Sequence, residues 1–151
     1  MDVLEAIKSR HSVRAYLDKS VDAEIVKEII EISKQSPSGV NSQPWKVYAI
    51  MGNARDELVK EACKNFDAGS WETEEYQVYP KKDEMPDWYK SRQRACGFGM
   101  YGVLGIERED REKRLAQARK NYEFFGAPVG LFISVNKAVG PNGWGHVGHF
   151  I

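Results

Sequence analysis

The chain has 151 residues, 42% of them hydrophobic and 29% charged, the composition of one soluble globular domain. Its 22 basic and 22 acidic side chains cancel, so no global field draws it to nucleic acid or to an anionic membrane. No apolar stretch is long enough for a signal-peptide core or a membrane span, and two cysteines make no disulfide framework, so a cytoplasmic protein is expected.

Asp2, with Glu5 three residues on, resembles a capping box, and Val3, Leu4 and Ile7 share one face of a short helix. Asp22 is placed to cap a second helix, whose Ile25, Ile29 and Ile32 form an apolar stripe backed by Val26 and Ile30. That helix should end near Gln35, because Pro37 disfavours the helical region for the residue before it. Between the two helices the stretch Arg10–Arg14 breaks the period; after the second comes SPSGVNSQPW, residues 36–45. Trp45, Val47, Ala49 and Met51 then alternate with Lys46, Tyr48 and Ile50 as a strand does.

Asn53 can cap a third helix with Leu58, Ala62 and Phe66 on one side and Val59 and Cys63 beside them. Residues 69–87 carry Trp71, Tyr76, Tyr79 and two prolines among many charges, and 69–95 reads as a variable, lid-like excursion. From Asp87 to about Leu104 the pattern is helical although Gly97, Gly99 and Gly102 puncture it. Residues 109–125 read as a charged helix with Leu115, Ala118, Tyr122 and Phe125 inward. VGLFISV, opened by Pro128, reads as a buried strand, and GPNGWG after it as a glycine-rich loop. The class is mixed α and β. Two strands are few for this length, which calls for a partner that completes the sheet or for a further C-terminal portion.

Some motifs carry nothing. Gly97–Gly102 spells G-x-G-x-x-G, but a dinucleotide loop needs a strand before it, and DWYKSRQRAC is charged and helix-like; a flexible, closely packed helix is the better reading. His146 and His149 lack third and fourth ligands, so no metal site is expected. Cys63 reads as core, and Cys96 beside Arg94 has no histidine base near it in sequence. EREDREK is a solvated helix face.

Two segments hold more chemistry. Arg10, Ser12 and Arg14 alternate, so extended backbone would point them to one side, with the two arginines about 13 Å apart. That span suits a ligand with a phosphate at one end and an electron-rich group at the other; a solvated basic turn is the plain alternative. In the second segment Ser38, Asn41, Ser42 and Gln43 offer neutral hydrogen-bonding groups. Gly39 permits close approach of backbone to a ligand, and Pro37 and Pro44 stiffen the ends. Together the segments describe a site for a phosphorylated, flat, hydrogen-bonding cofactor.

In Arg10–Arg14, in Ser36–Trp45 and in NYEFFGAPVGLFISV (121–135), in that order and spacing, the chain resembles the nitroreductase family of flavoproteins. The resemblance implies a single domain of α+β fold with a central antiparallel or mixed sheet flanked by helices, an intertwined homodimer, and FMN at its interface. It implies that Arg10 and Ser12 hold the phosphate with His11 assisting, and that Arg14 reaches the pyrimidine edge of the ring. Pro37, Ser38, Gly39 and Asn41 would meet the flavin from the other subunit, and Asn121 would also meet the ring. Gln43 and Trp45 would support the loop. The implied activity is ping-pong transfer of two electrons from NADH or NADPH through FMN to a nitroaromatic or quinone, with no catalytic side chain and Arg14 as an electrostatic tuner. Related alternatives are a flavin-destructase or reductive-dehalogenase-like enzyme, and a truncated flavin-binding or dimerisation module without catalysis. Family members continue well past the position of Ile151, so the chain reads as the N-terminal two-thirds of such a protein, either a fragment or a natural truncation.

Overall fold

A computed structural model describes residues 2–69, 79–81 and 83–151, which fall into two compact units, Met1–Glu61 with Glu123–Ile151 and Ala62–Tyr122.

In the first unit, helix α1 (Val3–Ser9) begins where the Asp2 carboxylate accepts the Glu5 N–H at 2.9 Å. Helix α2 (Ala23–Ser33) begins in the same way, with Asp22 accepting the Glu24 N–H at 2.9 Å. Its apolar stripe is not buried as its periodicity predicts. Val26 is 7% exposed, but Ile25, Ile29 and Ile32 lie open, Ile32 at 64%. A stripe is buried only by a facing surface, and the described residues supply one to Val26 alone among the buried set.

Strand β1 (Trp45–Met51) pairs antiparallel with strand β2 (Val129–Val135), in register from Trp45 opposite Val135 to Met51 opposite Val129. The fold is α+β. Both strands are rich in β-branched and aromatic residues, which suit a pleated surface. β2 is less covered than an apolar run leads one to expect: Gly130 is buried, whereas Leu131 and Phe132 are exposed. An apolar run is buried throughout only where both sheet faces are covered.

GPNGWG is not a loop throughout, because helix α6 spans Asn142–Phe150. Pro141 sets φ to −59° at its entrance, and two tertiary contacts outweigh the weak helix propensity of glycine. Gly143 sits so close to Val135 that a Cβ there would lie 3.1 Å from Cγ2, and the Phe150 ring, 6% exposed, stacks 5.0 Å from Trp45.

Helix α3 (Gly52–Asp67) starts one residue before the expected cap, at Gly52 with φ +56°, so Asn53 lies inside its first turn. In the second unit, Cys63 is buried at 3% exposure and Phe66 lies 4.9 Å from the Tyr122 ring. Helix α4 (Asp87–Val103) contains Gly97, Gly99 and Gly102 in its interior, away from any strand-to-helix turn. A Cβ at any of the three would meet nothing within 4 Å, so the close packing expected there is absent among the described residues. Helix α5 runs only from Arg111 to Arg119. The Asn121 side chain donates to the Ala118 carbonyl at 2.9 Å, an alternative to helix continuation that leaves Tyr122 and Phe125 beyond the helix; Leu115 is exposed, not inward. Of the lid-like excursion, residues 70–78 and 82 lie outside the described residues, and 87–95 are helical.

Candidate functional site

The cationic segment leaves α1 at Arg10, whose N–H closes the helix on the Ala6 carbonyl at 3.2 Å and whose backbone turns extended at ψ 124°. Residues 10–14 are exposed and have no regular structure. Their side chains bond to nearby backbone. His11 Nδ1 lies 2.8 Å from the Ser9 carbonyl, and since a carbonyl can only accept, Nδ1 carries the proton and Nε2 is left to the outside. Tyr16 donates its O–H to the Val13 carbonyl at 3.3 Å. Arg14 Nη1 reaches the Ser12 carbonyl at 3.5 Å, the outer limit for such a bond, and its guanidinium carbon lies 5.7 Å from the centre of the Phe125 ring.

The neutral segment is ordered from within. Around a single 3-10 turn (Gly39–Asn41), the Asn41 N–H donates to the Ser38 carbonyl at 2.9 Å and the Ser42 N–H to the Gly39 carbonyl at 3.0 Å. Ser38 Oγ accepts the Gln43 N–H at 2.9 Å, and Asn41 Oδ1 accepts from Gln43 Nε2 at 3.0 Å. Gln43 therefore turns its groups inward. Ser38 keeps its hydroxyl hydrogen and Asn41 its amide hydrogens as donors to a ligand. The close approach that Gly39 permits is to His146: a Cβ on Gly39 would lie 3.3 Å from the imidazole Cε1. Val40, Asn41 and Gln43 all take positive φ, 50°, 52° and 43°, and Val40 is fully exposed.

Among the described residues no hydrogen bond or ion pair joins residues 10–14 to residues 36–45. Asn121 belongs to the second unit, with its amide already donating to Ala118. A mainly apolar groove of about 660 Å³ in the first unit, walled by Tyr16, Leu17, Ile25, Ile29, Pro128 and Leu131 with Lys19 and Ser20 at its margin, holds none of the candidate residues. No cluster of three or more His, Cys, Asp or Glu side chains among the described residues is placed to hold a metal, and no described helix is long and apolar enough to cross a membrane. In the second unit, the hydrogen bond from Lys113 and then the Glu107 N–H hold the Asp110 carboxyl below its ordinary pKa.

Sequence reasoning missed the turn Glu123–Gly126. The Gly126 N–H closes on the Glu123 carbonyl at 3.0 Å, and the central residues Phe124 and Phe125 both have positive φ, 52° and 54°. Asn and Gly ordinarily fill such positions, so two phenylalanines give no signal. Arg55, half-buried, donates from Nη2 to the Glu123 carbonyl at 2.9 Å.

The polar groups of the two exposed segments, two guanidiniums, hydroxyls, an imidazole and an amide, suit a phosphate and a flat ring with hydrogen-bonding edges. Residues 7–149 match the Nitroreductase family. The 4-nitrobenzoate reductase of Nocardioides sp. (strain LMS-CY) is 34% identical over 130 residues, 85% of this chain and 53% of that protein. The nitrobenzene nitroreductase of Ectopseudomonas oleovorans is 32% identical over 134 residues, 88% of this chain and 58% of that one. The chain thus spans somewhat over half the length of these curated relatives. The crystal structure of the FMN and NADPH-dependent nitroreductase NfnB from Sphigopyxis sp. strain HMH superposes with a TM-score of 0.90 at 36% identity, over 99% of this chain and 67% of that one.

Proposed function

The chain belongs to the nitroreductase family, and on that premise we propose that it serves FMN-dependent electron transfer from NAD(P)H to a nitroaromatic or quinone. FMN, when bound, supplies the chemistry that no side chain here has: carriage of two electrons between a donor and an acceptor that meet the site in turn. The protein binds and tunes it. Arg10 and Ser12 would hold the phosphate by charge-assisted and hydroxyl hydrogen bonds, with His11 assisting. Arg14 places a fixed cation where negative charge develops on the pyrimidine edge. Pro37, Ser38, Gly39 and Asn41, presented by a second copy of the chain, complete the site from the opposite side. The open Ile25, Ile29 and Ile32 stripe is apolar surface of the kind that association covers. Such an enzyme works in the cytoplasm, where NAD(P)H is available.

The observation that supports this reading most is one of chemistry and form together. The exposed cation-bearing segment and the internally bonded neutral loop occur in a chain of which 99% follows the fold of an FMN- and NADPH-dependent relative. Titrating the purified protein with FMN tests it. Saturable quenching of flavin fluorescence, bleaching of the bound flavin by NAD(P)H without oxygen, and recovery on adding a nitroaromatic are expected. A protein that stays colourless and leaves flavin fluorescence unchanged refutes the proposal and favours a module without redox function.

A further inference from the structure

We infer that Phe125 is a positioning residue for Arg14, holding its guanidinium ready for the cofactor; the inference rests on the flavin reading above for Arg14 itself. On its own segment Arg14 makes one hydrogen bond, to Ser12 at the 3.5 Å limit, too weak to fix a long side chain that is exposed. The Phe125 ring, 5.7 Å from the guanidinium carbon, is its second contact, within cation–π range.

The ring is there because the backbone is forced. Phe124 and Phe125 lie in the left-handed region, φ 52° and 54°, where a side chain crowds the following carbonyl and bulky residues are rarely found. Such a conformation persists only where its surroundings over-determine it, and they do so here. Arg55 Nη2 binds the Glu123 carbonyl at 2.9 Å, the Gly126 N–H closes the turn on the same carbonyl, and the Ala127 N–H binds the Phe124 carbonyl at 2.9 Å. The Phe124 ring rests on Gly130, where a Cβ would come within 2.9 Å of Cε1, and meets Phe132 edge-on at 5.9 Å. With Phe124 anchored on β2, the same turn presents Phe125 to Arg14. A packing role alone would need neither two left-handed phenylalanines nor a cation over the second.

Three variants and two readouts test this. In the flavin-free protein the Arg14 side-chain protons should carry a ring-current shift by NMR, lost in Phe125→Leu and kept in Phe125→Trp. Phe125→Leu should weaken FMN binding about two- to fivefold, the value of a cation–π contact at an exposed site, and Phe125→Trp should restore it. Phe125→Asn, which tolerates positive φ, should fold at least as stably as the parent and still lose FMN affinity, a split that a merely structural role would not produce. Combined with Arg14→Ala, Phe125→Leu should add no further loss. An absent ring-current shift, FMN affinity unchanged by Phe125→Leu, or losses that simply add in the double variant overturns the inference. A ring-current shift in a protein that takes up no FMN overturns the flavin reading instead.

Discussion

The two candidate segments of the first unit achieve order in opposite ways. The neutral loop is closed on itself: Ser38 and Asn41 take the Gln43 hydrogen bonds, and backbone bonds span Ser38 to Asn41 and Gly39 to Ser42. The cationic segment has bonds from side chains to backbone two or three residues away, and Arg14, the cation proposed to tune the flavin, meets a ring 111 positions further along the chain. Neutral groups can preorganise one another because each can both donate and accept. Guanidiniums only donate and repel one another, so a cationic segment must find its order elsewhere. Preorganisation of the loop is thus a local property, and that of Arg14 a tertiary one.

Arg14→Ala gives the largest effect expected from that contrast: a fall in FMN affinity of roughly tenfold or more, the value of a charge-assisted hydrogen bond. Arg108→Ala, in the exposed charged stretch of the second unit, should leave affinity within error, measured by fluorescence titration of both variants. Equal losses would erase the distinction. Next in size is Ser38→Ala, which leaves the Gln43 N–H without its acceptor and should destabilise the protein by about 1 kcal/mol in urea unfolding, with FMN binding weakened as the loop loosens. A loop indifferent to that change would not be preorganised by its own bonds.

Val40→Asn should move stability the other way. Val40 is β-branched, fully exposed and held at φ 50°, so a residue tolerant of that region should gain about 1 kcal/mol by calorimetry. The smallest effect belongs to Asp110. Its folded pKa is lowered, so its contribution is complete above the ordinary aspartate range near pH 4 and is lost as pH falls through the lowered value. Helix α5 should therefore loosen on acidification in the parent and lack that pH dependence in Asp110→Asn, followed by amide exchange. Neither segment of the candidate site should respond.

What could be read from the sequence divides along the same line between local and tertiary. β1 and β2 were legible to the residue, because alternation and β-branched runs act locally, and so were the Asp2 and Asp22 caps. Helix α6 was not, because glycine and proline argue against it, while packing against other elements, Val135 on Gly143 and Trp45 on Phe150, supports it. The predicted helix 109–125 overran for want of a breaker before Gly126, while the Asn121 back-bond that accompanies its end depends on side-chain geometry. Of the candidate site, Arg10, Ser12, Arg14, Ser38 and Asn41 are proposed from residue type, order and the family resemblance. Phe125 could not be, since nothing in FFG announces two left-handed aromatics beneath an arginine.

The pairing of β1 with β2 also sets a timetable for synthesis. Residues 52–128 separate the two strands, so at 5–20 residues per second the ribosome releases β2 roughly 4–15 s after β1. Throughout that interval Trp45–Met51 lacks β2, the strand it pairs with among the described residues, and its amides and apolar side chains form an unprotected edge. A nascent chain of this protein should therefore be a client of holding chaperones, released when Val129–Val135 arrives.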